Sequence, residues 1–504
     1  MFFINKINKM KRNNFITILV LLIASLVAVS CNTTTQEPQL TLTNMTKDIP
    51  SEGGTVALSF TCNAAWSVDT TGFSWLKLSK ISGVAGDAAI NLIAPSNSSG
   101  ISRSVLLYVI SPNGQARRVT ALQLPNLFPS YNTSSIAPDA SGMSSTAAQL
   151  ANKIKLGINI GNTMEIGSYE NGNNYGNPLI TQLLIDSIKK AGFTAIRIPV
   201  EYDYSHIINK ATAQIDPVWL NRVKEVVQYC VNDGIYAVIN IHWDGGWLDC
   251  NATGAKLDSI KAKQKAYWEQ IATTMRDFDE HLLFASANEP FSETSNFSFT
   301  LPTITNLYDF HQIFIDAVRS TGGKNAYRNL VIQAPVTSGD LANYFAPGSL
   351  PGMPSDNVAN KLMLEFHYYS PYNFCLNDDL ATQWYYWGAN FHSTTDLARN
   401  ATSDTEETYV DAVFSRLQKE FASNGIPVLV GEMGAFSGGN AGLTGNALTL
   451  HLASRGHWYS YVAHSALKHG ALPFIWDTGE MFSRTTDAVQ NKQILDSLKY
   501  AVSN

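Results

Sequence analysis

The chain has 504 residues, with 35 Lys and Arg against 41 Asp and Glu, 15% charged residues and 11% aromatics. That length supports two or three domains, each with its own core. A charge content well below the roughly 25% of an average globular chain excludes a disordered chain, a coiled coil and a polybasic nucleic-acid surface.

Residues 1–30 carry Lys6, Lys9, Lys11 and Arg12 and no acid, so the remainder holds 31 positive against 41 negative charges. A mildly acidic, aromatic-rich protein suits a neutral polyhydroxylated partner better than an anionic one. The basic segment, an apolar run from Phe15 to Val29 and then Ser30-Cys31 follow the order of an export signal. The run is too short to span a bilayer comfortably. A small residue before a lone Cys resembles a bacterial lipoprotein cleavage site, although Ala28 stands where Leu is usual. That resemblance implies lipidation of Cys31, a tether over 31–37, and an outer-membrane lipoprotein facing the cell exterior. Cys62, Cys230, Cys250 and Cys375 form no close pair and no zinc-ligand spacing, so neither a disulfide framework nor a structural metal is expected.

Residues 38–124 read as short strands separated by turn clusters. Val56 to Phe60 and Val105 to Val109 alternate with one face apolar, and Gly53-Gly54 and Pro112-Asn113-Gly114 supply turns. Roughly seven strands in so few residues predict a small all-β immunoglobulin-like sandwich. Trp66 and Trp75, at strand-like positions, are assigned to its core. The placement after Cys31, these tryptophans and the Arg103 strand resemble the BACON-type module of bacterial glycan-degrading proteins. Residues 125–145, with Pro125, Pro129 and Pro138 in a polar stretch lacking periodicity, read as a proline-stiffened linker.

From 146 to 504 strands and helices alternate. The strand candidates are Lys155–Gly161, Thr194–Val200, Tyr236–His242, Leu282–Glu289, Asn329–Pro335, Leu362–Tyr369, Pro427–Glu432 and Leu472–Trp476. Helices are predicted at Pro178–Ala191, from Asp216-Pro217 to Gly234, at Ser259–Phe278 and at Thr303–Arg319; the second has Asp at its cap, Pro at its first position and Gly past its end. Eight apolar strands so separated predict a (β/α)8 TIM barrel. Periodicity alone also admits a doubly wound open sheet, which would not need eight units.

In such a barrel the C-terminal strand ends converge, and here they are Asn159 and Asn162, Arg197, His242, Asn288-Glu289, His367 and Tyr369, Glu432, and Trp476. Two carboxylates emerge from strands four and seven. Paired carboxylates flanking a bond are what glycoside hydrolysis requires: one protonates the departing oxygen, the other captures the oxocarbenium-like carbon. Arg197, on reaching Glu432, would hold it ionised as nucleophile, while the other acid must be protonated when substrate arrives. Asn288 is placed to donate to a sugar 2-hydroxyl, and Trp476 offers a flat surface for a sugar ring.

Leu156 to Thr163, Ile196 to Val200, Asn240 to Trp243, Ala287-Asn288-Glu289-Pro290, Glu365 to Tyr369, Val430 to Gly434 and Phe474 to Asp477 resemble, in order, the strand motifs of glycoside hydrolase family five. Trp243 to Leu248 and Tyr175 to Pro178 resemble its subfamily four, the endo-β-1,4-glucanases that include xyloglucan-specific members. With the β-module and Cys31, the whole chain resembles surface lipoprotein endo-xyloglucanases. The resemblance implies Glu289 as acid/base and Glu432 as nucleophile, with Arg197 and Tyr369 supporting the nucleophile, Asn288 on the 2-hydroxyl, His242 and His367 lining the cleft, and Trp476 as sugar platform. It departs at Trp243, where many relatives carry a second His.

His206, Trp243, Trp247 and the run Trp384 to Trp387 lie in predicted loops above the barrel, where aromatics stack on sugars or pack their own loop. The favoured substrate-facing residues among them are His206 and Trp247. The resulting expectation is a cofactor-free, monomeric retaining endo-β-1,4-glucanase acting on xyloglucan, with carboxyl groups about 5–5.5 Å apart. Mixed-linkage glucanase, cellulase, xylanase and mannanase stand as alternatives, as does a non-catalytic surface glycan-binding protein. The β-module is read as a spacer.

Overall fold

The computed structural model describes residues 39–503 apart from 43–44, 70–73, 167–176, 243, 291–298 and 438–440. The export segment, Cys31, the 31–37 tether, Tyr175-Gly176 and Trp243 therefore lie outside the described residues. The chain divides into two compact units, the first drawn chiefly from residues before 123 and the second chiefly from those after.

The first unit is all β. Its four-stranded sheet runs in the order Leu40–Thr41, Gly53–Cys62, Gly86–Pro95, Lys77–Leu78. Its five-stranded sheet runs Thr46–Ile49, Ala116–Gln123, Arg103–Ile110, Trp66–Asp69, Ser82–Gly83. Among the described residues there are nine strands against roughly seven expected, three of them two-residue pairings that carry no periodicity of their own. Leu58, Phe60, Ile90, Leu92, Leu107, Val109 and Val119 alternate inward and, with Trp66, form one hydrophobic cluster shared by the two sheets. Trp66 meets Phe60 edge-on at 4.9 Å, and Trp75 packs against the same cluster, so both tryptophans serve the core.

The second unit is a closed barrel of eight parallel strands in chain order: Gly157–Ile160, Ala195–Ile198, Tyr236–Asn240, Leu282–Ala285, Leu330–Ser338, Leu362–Tyr368, Val428–Met433 and Ala471–Asp477. All eight predicted strands are present. Each is buried on both faces because helices cover the outside, which is why the strands read as apolar runs rather than alternating ones. Ile158, Ile196, Ile239, Phe284, Ile332 and Leu364 face the helical layer. Ala195, Val238, Leu283, Val331, Met363, Leu429 and Phe474 face inward, where Ala147, Leu150 and Ile154, in and just after the short helix Ala147–Ala151, join their cluster. The helix Pro217–Asn232 begins as its sequence dictates: the Asp216 carboxylate accepts the Val218 N–H at 2.8 Å, and Trp219, Val223, Val226, Val227 and Cys230 are buried.

Residues 125–145 do not run free as a linker. Ser130 Oγ and the Tyr131 N–H both donate to Glu269, Ile136–Pro138 pairs with Gly322–Gly323, and Ser145 donates twice to Glu280. Proline and serine content identifies a segment without periodicity, but buried acceptors elsewhere in the chain decide whether it docks. Gly322 is essential to this arrangement, since its φ is +71° and a Cβ would lie 1.8 Å from the Ile136 carbonyl oxygen. Gly322→Ala is expected to detach this strap, read as faster amide exchange at Asp139 and a new protease-sensitive site within 132–139; unchanged exchange there would contradict the docking.

Candidate active site

The barrel interior changes from apolar to polar one layer below its C-terminal mouth. Asn159, Arg197, Asn240, Gln333 and Glu365 occupy the inward positions following Gly157, Ala195, Val238, Val331 and Met363, and all five polar residues are fully buried. Arg197 is the hub. Its Nη1 donates to Asn159 Oδ1 and Glu432 Oε1, each at 2.9 Å, and its Nη2 reaches Asn288 Oδ1 at 2.7 Å and Glu365 Oε1 at 3.0 Å. Asn159 is itself fixed, donating to the Gly431 and Ile475 carbonyl oxygens at 2.8 and 3.2 Å.

Glu432 reaches this hub through an irregularity in its strand. Val428 and Val430 face the helices and Leu429 the interior, so plain alternation would turn Glu432 outward. Between strands six and seven the register shifts: Phe366 pairs with Val430 but His367 with Glu432, which leaves Gly431 as an inserted residue. The bulge re-aims Glu432 into the barrel. There Oε2 accepts the Tyr369 hydroxyl at 3.0 Å.

Glu289, just past strand four, has a 46% exposed side chain and meets the same centre through His367. His367 Nδ1 lies 2.7 Å from Glu289 Oε1 and 3.6 Å from Glu432 Oε2, while its Nε2 lies 3.2 Å from Glu365 Oε1. Carboxylate oxygens of Glu289 and Glu432 and a nitrogen of His367 all fall within 4.8 Å of one another. The imidazole nitrogen is already engaged by the carboxylates, so the cluster is built to share a proton. Burial disfavours the His367 cation, but Glu432, Glu289 and Glu365 outweigh it and raise its pKa to about 9.

The two carboxyls are displaced in opposite directions. Burial raises Glu432 more than His367 and Arg197 lower it, and the neighbouring Glu289 charge adds to the rise. For Glu289 the upward effect of burial is outweighed by the hydrogen bond and charge of His367, by Arg197 and by the Thr337 hydroxyl, and it lies below the ordinary carboxyl range. Of the three groups, His367 is the one whose protonated form its surroundings favour through carboxylates on both ring nitrogens. Thr337 and its neighbour Val336 both hold φ near +48°, a conformation β-branched residues avoid, at the irregular end of strand five.

His242 and Trp476 lie side by side, with ring centroids 5.8 Å apart and planes 14° from parallel. Burial, followed by the Arg197 and His367 charges, keeps His242 neutral. Trp476 packs over Gly161, where a Cβ would come within 2.7 Å of the indole. Trp247 is half-buried, its indole N–H 3.3 Å from Asp244 and its ring 5.3 Å from the Lys263 ammonium.

His206 packs beside the helix Pro217–Asn232. Its ring stacks on the buried Trp219 at 3.8 Å, with Glu201 3.4 Å away. Within the 384–387 run, Tyr385, Tyr386 and Trp387 are buried, Tyr385 against His451 and Trp387 against His457 and Tyr461 of the helix Gly445–Lys468. Glu365 and Gln333 were missed as site residues; the two-residue spacing of Glu365, His367 and Tyr369 was the available signal, since it sets all three on one face.

Residues 158–481 match the family model described as Cellulase (glycosyl hydrolase family 5). The chain is 34% identical over 445 residues to the xyloglucan-specific endo-β-1,4-glucanase BoGH5A of Bacteroides ovatus, covering 85% of this chain and 84% of that protein. It is 32% identical over 397 residues to endoglucanase A of Paenibacillus barcinonensis, covering 74% and 93% respectively. Among solved structures, a Bacteroides ovatus GH5 xyloglucanase in complex with a XXXG heptasaccharide superposes with a TM-score of 0.70 at 31% identity, covering 92% of this chain and 100% of that one.

The His367 position carries a pH prediction. Because its folded value lies above the ordinary 6.5, its contribution to stability is complete below about 6.5 and is lost as pH rises through about 9. Histidine side-chain NMR should show one imidazolium that persists at pH 8 and titrates near 9. A cluster in which every histidine is neutral by pH 7.5 would contradict this assignment.

Proposed function

The chain belongs to glycosyl hydrolase family 5, and from that premise we propose that it is a retaining endo-β-1,4-glucanase that cuts the backbone of xyloglucan. The observation that carries the reading is the approach of Glu289 and Glu432, whose oxygens come within 4.8 Å and share one imidazole. Inverting enzymes hold their carboxyl groups about 6.5–9.5 Å apart to seat a water, whereas retaining ones hold them at about 5–5.5 Å. The close pair supports direct attack.

In this reading Glu432 attacks the anomeric carbon to form a glycosyl ester while Glu289 protonates the leaving oxygen; water then releases the sugar with Glu289 as base. Arg197 and Tyr369 stabilise the Glu432 carboxylate and fix its angle. Arg197 also binds Asn288 Oδ1, which turns the amide so that its NH2 end, a donor, is the one left for the sugar 2-hydroxyl. Trp476, with His242 beside it, forms the platform, and Trp247 offers a further contact at the rim. The polymer preference is supported by relatives named as xyloglucan-specific, one of which matches across most of the chain. The endoglucanase name of another relative supports the second reading, an enzyme of unbranched or mixed-linkage β-glucan.

The reading extends to the first unit, proposed as a BACON-type immunoglobulin-like sandwich acting as a spacer. Cys31 is its proposed lipid anchor to the outer face of the outer membrane, and the protein works as a monomer without a cofactor.

The enzyme should release reducing sugar faster from xyloglucan than from carboxymethylcellulose or mixed-linkage glucan, with β-configured products at first. Glu432→Ala should reduce activity to background and Glu289→Ala by about 10²–10⁴-fold, with folding retained. An active Glu432→Ala variant or α-configured first products would overturn the mechanism. Equal rates on the three polymers would favour the second reading.

A further inference from the structure

Beneath the two carboxylates lies a third. Glu365 sits two residues before His367 on strand six, and the alternation that turns Phe366 and Tyr368 toward the helices points Glu365, His367 and Tyr369 inward. It is wholly buried. Its Oε1 lies 3.0 Å from Arg197 Nη2 and 3.2 Å from His367 Nε2, and its Oε2 accepts the Gln333 amide at 2.8 Å. Gln333 Oε1 in turn accepts the Ala287 N–H at 2.9 Å, two residues before Glu289. On the neighbouring strand seven Gly431 makes the room, because a Cβ there would lie 2.0 Å from Glu365 Oε1.

The donor inventory fixes the charges. Arg197 and the Gln333 amide nitrogen only donate, so Glu365 serves them as an anion. With an anion at Nε2 and another at Nδ1, both nitrogens of His367 carry protons. The titratable groups facing this ring are Glu365 of its own strand, Glu289 after strand four, Glu432 of strand seven and His242 after strand three, with Arg197 behind Glu365 and Tyr369 on Glu432. Among the three carboxylates only Glu365 approaches His367 from the side away from the cleft. The upward displacement of His367 and the downward displacement of Glu365 agree with this reading, the latter set by Arg197 and His367 against burial.

We propose that Glu365 is a positioning residue of the reaction: it anchors the His367 ring through Nε2 and holds the proton of Nδ1 against Glu289, keeping the acid supplied. This rests on the assignment of Glu289 as acid/base. The proton passes from His367 Nδ1 to Glu289 Oε1, one N–H bond breaking as one O–H bond forms, and from there to the glycosidic oxygen as its bond to the anomeric carbon breaks and Glu432 bonds that carbon. In the second half, water gives its oxygen to the anomeric carbon and its proton to Glu289, which returns it to His367. Glu365 stays ionised throughout.

The test compares wild type with Glu365→Gln in kcat/KM against pH, on xyloglucan and on a dinitrophenyl β-cellobioside whose leaving group needs no proton. The variant should move the basic limb toward neutrality by about one pH unit or more. It should lose at least about tenfold on polymer and much less on the aryl substrate. Glu365→Asp, which retracts the charge without removing it, should fall between the two in both measurements. It carries the test alone if the Gln variant does not fold, a smaller shift in the same direction then supporting the proposal. A variant profile superimposable on wild type, or equal losses on the two substrates, overturns it. A wild type inactive on every β-glucan would instead remove the parent reading and this one with it.

Discussion

A guanidinium with no access to water organises this protein's chemistry. Arg197 is completely buried, and a charge so placed costs several kcal/mol unless its donors are answered. Here the answers come from four directions: Asn159 on strand one, Asn288 after strand four, Glu365 on strand six and Glu432 on strand seven. Each partner is held by the barrel wall, Asn159 through the carbonyls of strands seven and eight. The fold and the site are therefore one constraint. The strands must close in this register for the two Nη groups of Arg197 to be paired, and once they are, Glu432 and Asn288 have little freedom left, the preorganisation that a charge-developing transition state rewards.

Much of this is readable from the chain, because parallel strands buried on both faces leave short apolar runs that end abruptly in polar residues. Arg197 after Ile196, His242 after Ile241 and Trp476 after Ile475 stand out for that reason. What local pattern does not reveal is irregularity. Alternation counted from Val428 would send Glu432 to the outer face, and only the inserted Gly431 returns it to the interior. Glu365 was visible as a letter in a strand, yet nothing nearby indicates that Arg197, far away in sequence, would accept a carboxylate so deep.

Long-range partners account for what the sequence leaves open. His206 has the surroundings of a loop aromatic, but the flat face it meets belongs to Trp219 on the following helix. The proline-bearing 125–145 stretch has the composition of a linker, while Glu269 and Glu280 on the barrel supply acceptors that hold it. The upward displacement of His367 has the same long-range origin: three acids surround it, a count that exists only once the barrel closes and brings strands four, six and seven to one centre.

The central claim is that this network presents Glu432 to the anomeric carbon as the attacking group. Incubation with an activated 2-deoxy-2-fluoro β-cellobioside, followed by proteolysis and mass spectrometry, tests it most directly, since the fluorine slows breakdown of a glycosyl ester. The account predicts one added fluorocellobiosyl group per chain, carried on the peptide containing Glu432 and absent from that containing Glu289. An adduct on Glu289, or none while the same reagent is hydrolysed with inversion, would contradict it.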